Sequence, residues 1–511
     1  MEDTKRIEYQ KIPLRYRVTF FSSLLWGLLA HGFMLANKLS YHDDINNFGV
    51  GATFHFGRWM LSIFGVGSRT LNGTKNFSLP WFSGIICILL LAVAACYLIK
   101  IFDIKKPILC VAVSGLLLSF PSITAVFGFM FFGIHYCVDV LFTVLSVYFF
   151  CKQKNLKGFL LGGIFFTCAI GIYQSLISFE LSLLILFMIK EAYEKKTSFK
   201  DFFKEGLYYI VCCILSVIAY IIITKITCAI MNEPLADYKG INDFGMTSPL
   251  GYFDRILKAY KIFFFLIKDP HSSVFPTYTA VIIWSVVLLF EFFFSIYVIS
   301  KTKGISSAIQ IVILFLLLPL GMNFTYVMAE TVSVLQMYSQ TIPFILLAII
   351  GEYLFASIKK HVKVISWALL SIFIFTNIYY ARFANICYFK FDFQQQQAIE
   401  YYTRLITRIQ SLDGYSDDLP VAVLNIGKIS DKSVSDVEQY TFVTVIPYND
   451  TQYEFLSNYK WDDFMKMWCC YEPEYIKDTS EIESKDIVKQ MPSYPDSGSI
   501  KIVDGVIVVK F

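Results

Sequence analysis

The chain has 511 residues, 56% of them hydrophobic, 17% aromatic and only 16% charged, where soluble domains carry about 25% charged residues. That composition excludes a soluble enzyme and defines an integral membrane protein. The formal net charge of +4 does not argue for nucleic acid, because the basic residues fall in short connections, where they set orientation.

A membrane-crossing helix needs about 20 apolar residues. By that measure about eleven spans are predicted, at 18–36, 81–102, 107–127, 129–150, 158–173, 175–190, 206–231, 275–299, 305–328, 333–356 and 362–383. The fifth and sixth are short. Gly171, Tyr173-Gln174-Ser175 and Glu180 interrupt a run from Gly158 to Lys190 that reads as two spans, one long span or a re-entrant hairpin. The basic start, Met1 to Arg17, is followed by no small-residue cleavage site, which predicts a retained first span.

Lysines and arginines gather before the first span and in alternate connections, at Lys100, Lys105 and Lys106, at Lys152, Lys154 and Lys157, at Lys190 to Lys204, at Lys301 and Lys303, and at Lys359 to Lys363. The opposite connections near 128–134, 174 and 323–332 carry none. The positive-inside rule therefore places the N-terminus in the cytoplasm. An odd number of spans then places loops 37–80 and 232–274 and the C-terminus outside. Five of the six histidines, His31, His42, His55, His135 and His271, fall at or near that outer face.

Within the two outer loops, Thr53 to Phe64 and Tyr252 to Ile267 mix aromatics with basic residues, a pattern that suits helices lying in the membrane interface. From about Asn385 the composition turns polar. Four glutamines open a predicted helix through Ile409, and β-branched runs follow at Val421 to Ile426, Thr441 to Ile446 and Ile500 to Phe511, with turns at Asp417-Asp418 and Tyr494 to Gly498. The expected fold is thus a polytopic α-helical membrane domain, 1–384, followed by a small extracytoplasmic α/β or α+β soluble domain, 385–511. Most of the twelve cysteines lie in apolar runs without a C-x-x-C pair, so they read as core residues; in the tail, Cys387 and the pair Cys469-Cys470 leave one disulfide open.

The candidate chemistry centres on Ser40-Tyr41-His42-Asp43-Asp44-Ile45, directly after the first span. Glycosyl transfer needs a carboxylate to accept or orient the proton of the incoming hydroxyl, and a neighbouring carboxylate raises the first one's proton affinity. Either Asp43 or Asp44 serves. A solvated loop cap is the plainer reading, and the position at the membrane edge favours the functional one. His42 flanks the pair. Arg58, in Phe56-Gly57-Arg58-Trp59, offers a bidentate fork to a phosphate, or else anchors the chain in the interface beside Trp59. Arg255, Lys258 and Lys261 are weaker candidates of the same kind. His135 and Asp139 stand four apart on one helix face, where they line a substrate site or satisfy each other. Glu180 and Glu330 are candidates to line an outer cavity, and Glu291, deeper in its span, is assigned a structural role. No metal or cofactor motif is present. The sequons at Asn72, Asn76 and Asn449 carry meaning only in a secretory lumen.

A cytoplasmic start, one span, His42-Asp43-Asp44-Ile45 and then Phe56-Gly57-Arg58-Trp59 resembles the bacterial type II Gtr glucosyltransferases, which convert serotype by glucosylating O-antigen and related surface polymers. The likeness covers 15–384 in layout and is specific at 41–60. It implies a GT-C-like plan, an acidic residue of the first outer loop as acid/base, carried here onto Asp43 and Asp44, and undecaprenyl-phosphate glucose as donor in place of a nucleotide sugar. It also implies a glycan acceptor (O-antigen, teichoic acid or another cell-wall glycan) at the outer face of the cytoplasmic membrane. Two alternatives remain. A flippase or transporter would place its polar residues near the midplane, often in an internal repeat, whereas here the acids and histidines concentrate outside. A polysaccharide polymerase or ligase differs only through the Asp-Asp loop.

Overall fold

The computed structural model describes residues 12–39, 42–45, 53–72, 78–194, 198–236, 249–264, 278–301, 305–329, 332–425 and 461–511. Among the described residues, fifteen α-helices lead up to and into the tail: α1 (Leu14–Ala36), α2 (Trp59–Asn72), α3 (Pro80–Phe102), α4 (Pro107–Ser119), α5 (Pro121–Phe127), α6 (Met130–Lys152), α7 (Leu156–Ile172), α8 (Ile177–Glu194), α9 (Phe199–Met231), α10 (Pro249–Phe263), α11 (Tyr278–Lys301), α12 (Ile305–Met322), α13 (Phe324–Met328), α14 (Ile342–Phe355) and α15 (Lys360–Gln410). Their boundaries follow local chemistry. Proline opens α3, α4 and α5, where a missing N–H costs nothing. Asn155 and Ser198 cap α7 and α9 by accepting from the N–H of Gly158 and Asp201.

Among the described residues eight helices are long and apolar enough to cross a membrane, and nine if α4 and α5, bent by 43°, form one span. The expected count of eleven is not reached. The interrupted run at 158–190 is two helices and not one long span. It divides into α7, with only 17 residues, and α8, which carries Glu180, Lys190, Glu191 and Glu194. A short 3₁₀ link, Gln174–Leu176, joins them.

The packed centre is α1 against α3 and α4, α3 against α6, and α6 against α7; α8 packs on α12, and α9 on α7. Charge separates the two ends. At one end Arg15 pairs with Asp103 at 2.8 Å, Lys105 with Asp103 at 3.0 Å, and Lys190 with Glu194 at 2.6 Å. The same end holds the Lys154–Glu205 pair and Glu352, which accepts the backbone N–H groups of Lys105 and Lys106 at 2.7 and 2.6 Å. The acidic turn His42–Ile45 lies at the other end.

The boundary near 385 falls inside α15, a helix of 51 residues. Its last turns form the core of the tail, with Tyr401 against Tyr494 and Tyr402 against Phe464. The tail adds α16 (Trp461–Cys469), α17 (Ser480–Ser484), α18 (Asp486–Lys489) and a sheet of order β1-β3-β2, from β1 (Val421–Leu424), β2 (Ile500–Val503) and β3 (Val506–Lys510). β1 runs parallel to β3, with Val421 opposite Ile507; β2 runs antiparallel, with Ile500 opposite Val509. The run Ile500 to Phe511 is therefore a hairpin and not one strand. Asp504 and Gly505 both take positive φ, the conformation a two-residue hairpin turn demands. The expected strand Thr441 to Ile446, the sequon residues Gly73 to Phe77, and Asn449 to Thr451 lie outside the described residues. All twelve cysteines are free, so Cys387, Cys469 and Cys470 form no disulfide.

Candidate active site at the acidic end

The first turn of α6 is the meeting point of the site. Asp44 is fully buried there. Its Oδ2 accepts from the Lys38 ammonium and, at 3.4 Å, from the Ser78 hydroxyl, while Oδ1 accepts the Phe131 N–H at 3.0 Å. Lys38 follows α1, Ser78 precedes α3 and Phe131 is the second residue of α6, so one carboxylate ties three helix ends together. Such a charge is favoured at a helix N-terminus, where the backbone N–H groups lack partners. Burial pushes the Asp44 carboxyl above the usual range; the Lys38 ammonium, the Phe131 N–H and the Ser78 hydroxyl pull it back. Asp43, on the same 3₁₀ turn, is only half-buried. The two adjacent acids thus have different environments. The side chain of His42 lies outside the described residues.

On the other flank of the same α6 turn, the Arg58 guanidinium lies 5.0 Å from the Tyr173 ring centroid and 5.9 Å from that of Phe56. Tyr173 in turn meets Phe132 edge to face at 5.5 Å. The loop bearing Arg58 is clamped. Gln174 Nε2 donates to the Phe56 carbonyl at 2.9 Å and to the Tyr220 hydroxyl at 3.0 Å, and the Ala236 N–H donates to the His55 carbonyl at 2.8 Å. Gly57 makes that approach possible: its φ is +70°, and a Cβ there would stand 2.4 Å from the Tyr220 oxygen. Trp59 lies against α7 at Gly171, where a Cβ would come within 2.6 Å of the indole. The stretch expected to be helical from Thr53 begins instead as a 3₁₀ turn, Phe54–Phe56, and becomes α-helical only at Trp59.

His135 is on the next turn of α6, its ring 5.7 Å from Phe64 and 6.4 Å from Phe132. Asp139 is fully buried one turn deeper. The two do not satisfy each other: Nδ1 of His135 and both carboxylate oxygens of Asp139 are buried without a hydrogen-bond partner. Glu180 does not open to an outer cavity. It is fully enclosed between α8 and α6, accepting from the Ser146 hydroxyl at 2.8 Å. Glu291 is likewise buried within α11.

The predicted interfacial helix in the second outer loop is α10. It packs on α12 and α13, with Arg255 donating to the Val327 carbonyl at 3.3 Å and the Lys258 ammonium 5.1 Å from the Tyr326 ring. Thr325, next to Tyr326, shares a hydroxyl contact of 2.7 Å with Ser178 at the start of α8. Glu330 and His271 lie outside the described residues. The residues that pattern reading missed are Lys38, Ser78, Tyr173, Gln174 and Tyr220. Of these, Tyr173 and Gln174 carried a signal, as part of a polar break in an apolar run.

The fold and this end of the bundle define a polytopic membrane protein that concentrates its polar machinery at the end opposite its basic connections. The profile of the family described as Glucosyl transferase GtrII matches residues 32–340. The chain belongs to that family and is a membrane glucosyltransferase, acting with a sugar donor and a glycan acceptor. The match takes in both the acidic turn and the Arg58 loop; residues 341–511 lie beyond it. No curated protein and no solved structure matches the chain.

Proposed function

We propose that the protein moves glucose from undecaprenyl-phosphate glucose to a cell-surface glycan at the outer face of the cytoplasmic membrane, with Asp43 as the general base and Arg58 on the donor phosphate. The observation that carries this reading is the difference in burial at 43–44: Asp44 is fully buried against Lys38, Ser78 and Phe131, and Asp43, half-buried on the turn that Asp44 fixes in place, is the more accessible carboxylate. In the transfer, the acceptor oxygen forms a bond to C1 of glucose as the bond from C1 to the phosphate oxygen breaks. The hydroxyl proton passes to the Asp43 carboxylate, and the electron pair leaves with the lipid phosphate, whose charge the Arg58 fork balances. The anomeric centre inverts.

The same reading puts the N-terminus in the cytoplasm and 385–511 outside, as a domain that covers the acidic end; α16 packs beside the turn His42–Ile45, and Gln395 donates to the Lys38 carbonyl at 3.2 Å. Incubating purified protein with polyprenyl-phosphate glucose and an acceptor glycan tests it through release of polyprenyl phosphate. Absence of release from every polyprenyl-phosphate hexose, together with solute uptake into liposomes, would favour a transporter.

A further inference from the structure

Below Arg58 an apolar groove of about 310 Å³ runs between α7 and α9. Its walls are Phe159, Leu160 and Ile164 on one side and Leu215, Ala219 and Ile223 on the other, and Trp59 closes its upper end. Leu160, Ile164 and Leu215 are exposed, so the groove opens sideways onto the surface that faces lipid. From Phe159 to Cys168 it follows α7 for roughly 14 Å at 1.5 Å per residue, which is about half of a hydrocarbon core. The floor is deep because Gly163 has no side chain; a Cβ there would meet only the Ser216 hydroxyl, at 3.6 Å. The two helices are held at this depth by Thr167, whose hydroxyl donates to the Ser216 carbonyl at 3.2 Å.

Two features single out one occupant. The groove begins at the residue next to Arg58, whose guanidinium rests on Tyr173 just past the end of α7. The indole N–H of Trp59, in a residue 6% exposed, has no hydrogen-bond partner. A cation and a spare donor at the head of an apolar channel suit a lipid with an anionic head and a single long chain. We propose that this groove holds the head-proximal isoprenoid units of the donor's chain, with the phosphate above it at Arg58. The proposal rests on the reading of Arg58 as the phosphate site and goes beyond it by assigning where the chain lies. The groove between α8, α9 and α12, though larger at about 590 Å³, is not lined by Trp59.

The test uses the full chain with two donors of the same head group, one of full polyprenyl length and one with a methyl group in place of the chain, and the variant Gly163→Phe. The phenylalanine fills the groove and should raise KM for the long donor about ten-fold, the loss of burial of roughly two methylenes, while kcat is kept and the short donor is affected much less. Equal losses with both donors, or none with the long one, would overturn the proposal. A second measurement needs neither turnover nor a variant: a long-chain donor with a photoreactive group in its first isoprenoid units should label α7 and α9 of the wild-type protein. Labelling confined to α8 and α12, or labelling that ordinary phospholipid prevents as well as unlabelled donor does, would also overturn it. If the wild type labels in the groove yet transfers sugar from neither donor, the groove assignment stands and the proposed reaction falls.

Discussion

Removing the Asp44 carboxylate should unsettle the acidic end far more than removing its neighbour. Asp44→Ala leaves the Lys38 ammonium without its buried partner and the Phe131 N–H without its acceptor. Breaking a buried pair from one side costs about 3 to 5 kcal/mol, and because the Lys38 side chain is 25% exposed and can partly rehydrate, the lower end, about 3 kcal/mol, applies. Lys38→Met leaves the less tolerable fragment, a carboxylate with no exposure, and belongs nearer about 4 kcal/mol by the same rule. Asp44→Asn keeps an acceptor for the Phe131 N–H and loses about half as much, the part due to charge in the hydrogen bonds. Asp43→Asn changes a half-buried group, and about 0.5 kcal/mol is the usual size of such a change. The assay is the temperature at which the protein in detergent loses its monodisperse elution peak, read at one heating rate because membrane proteins unfold irreversibly. The expected order, from least to most stable, is Lys38→Met, Asp44→Ala, Asp44→Asn, then Asp43→Asn level with wild type. An Asp44→Ala midpoint equal to wild type, with Asp43→Asn below it, would refute the reasoning.

Arg58→Lys keeps the charge and loses the planar fork, so turnover should fall more than protein yield does; wild-type activity in Arg58→Ala would show that Arg58 only anchors the loop. Gly57→Ala should cost about 1 kcal/mol or more from its positive φ alone, with the Tyr220 clash added, and should raise the donor KM by displacing Arg58; an unchanged KM would separate the loop's shape from donor binding. A reporter active only in the cytoplasm should be silent when fused after Phe511, and a fluorescent colony would contradict the outward placement of the tail.

Hydropathy made most of the helical plan legible, because each apolar run of sufficient length must be satisfied by its own backbone bonds. It failed where polar residues are satisfied by distant partners. Tyr173-Gln174-Ser175 reads as an interruption of a span, yet Gln174 is buried and engaged with Phe56 and Tyr220. The passage from Phe383 into the glutamines looks like a boundary, but α15 continues through it because its later turns pack the tail's own aromatics. The stretch 41–60 stood out as a candidate site from position and residue type. The separation of Asp43 from Asp44 did not, since it depends on Lys38, Ser78 and Phe131 converging from three helix ends, and no spacing rule links Asp44 to a backbone N–H 87 residues away.

The most direct measurement is the rate at which purified Asp43→Asn releases polyprenyl phosphate from polyprenyl-phosphate glucose in the presence of acceptor, beside Asp44→Asn and wild type. Asparagine preserves shape but cannot take the proton, so Asp43→Asn should elute and bind donor like wild type and yet turn over about 10²- to 10⁴-fold more slowly. Asp44→Asn should lose activity only in step with its loss of folded protein. Wild-type turnover in Asp43→Asn would contradict the account.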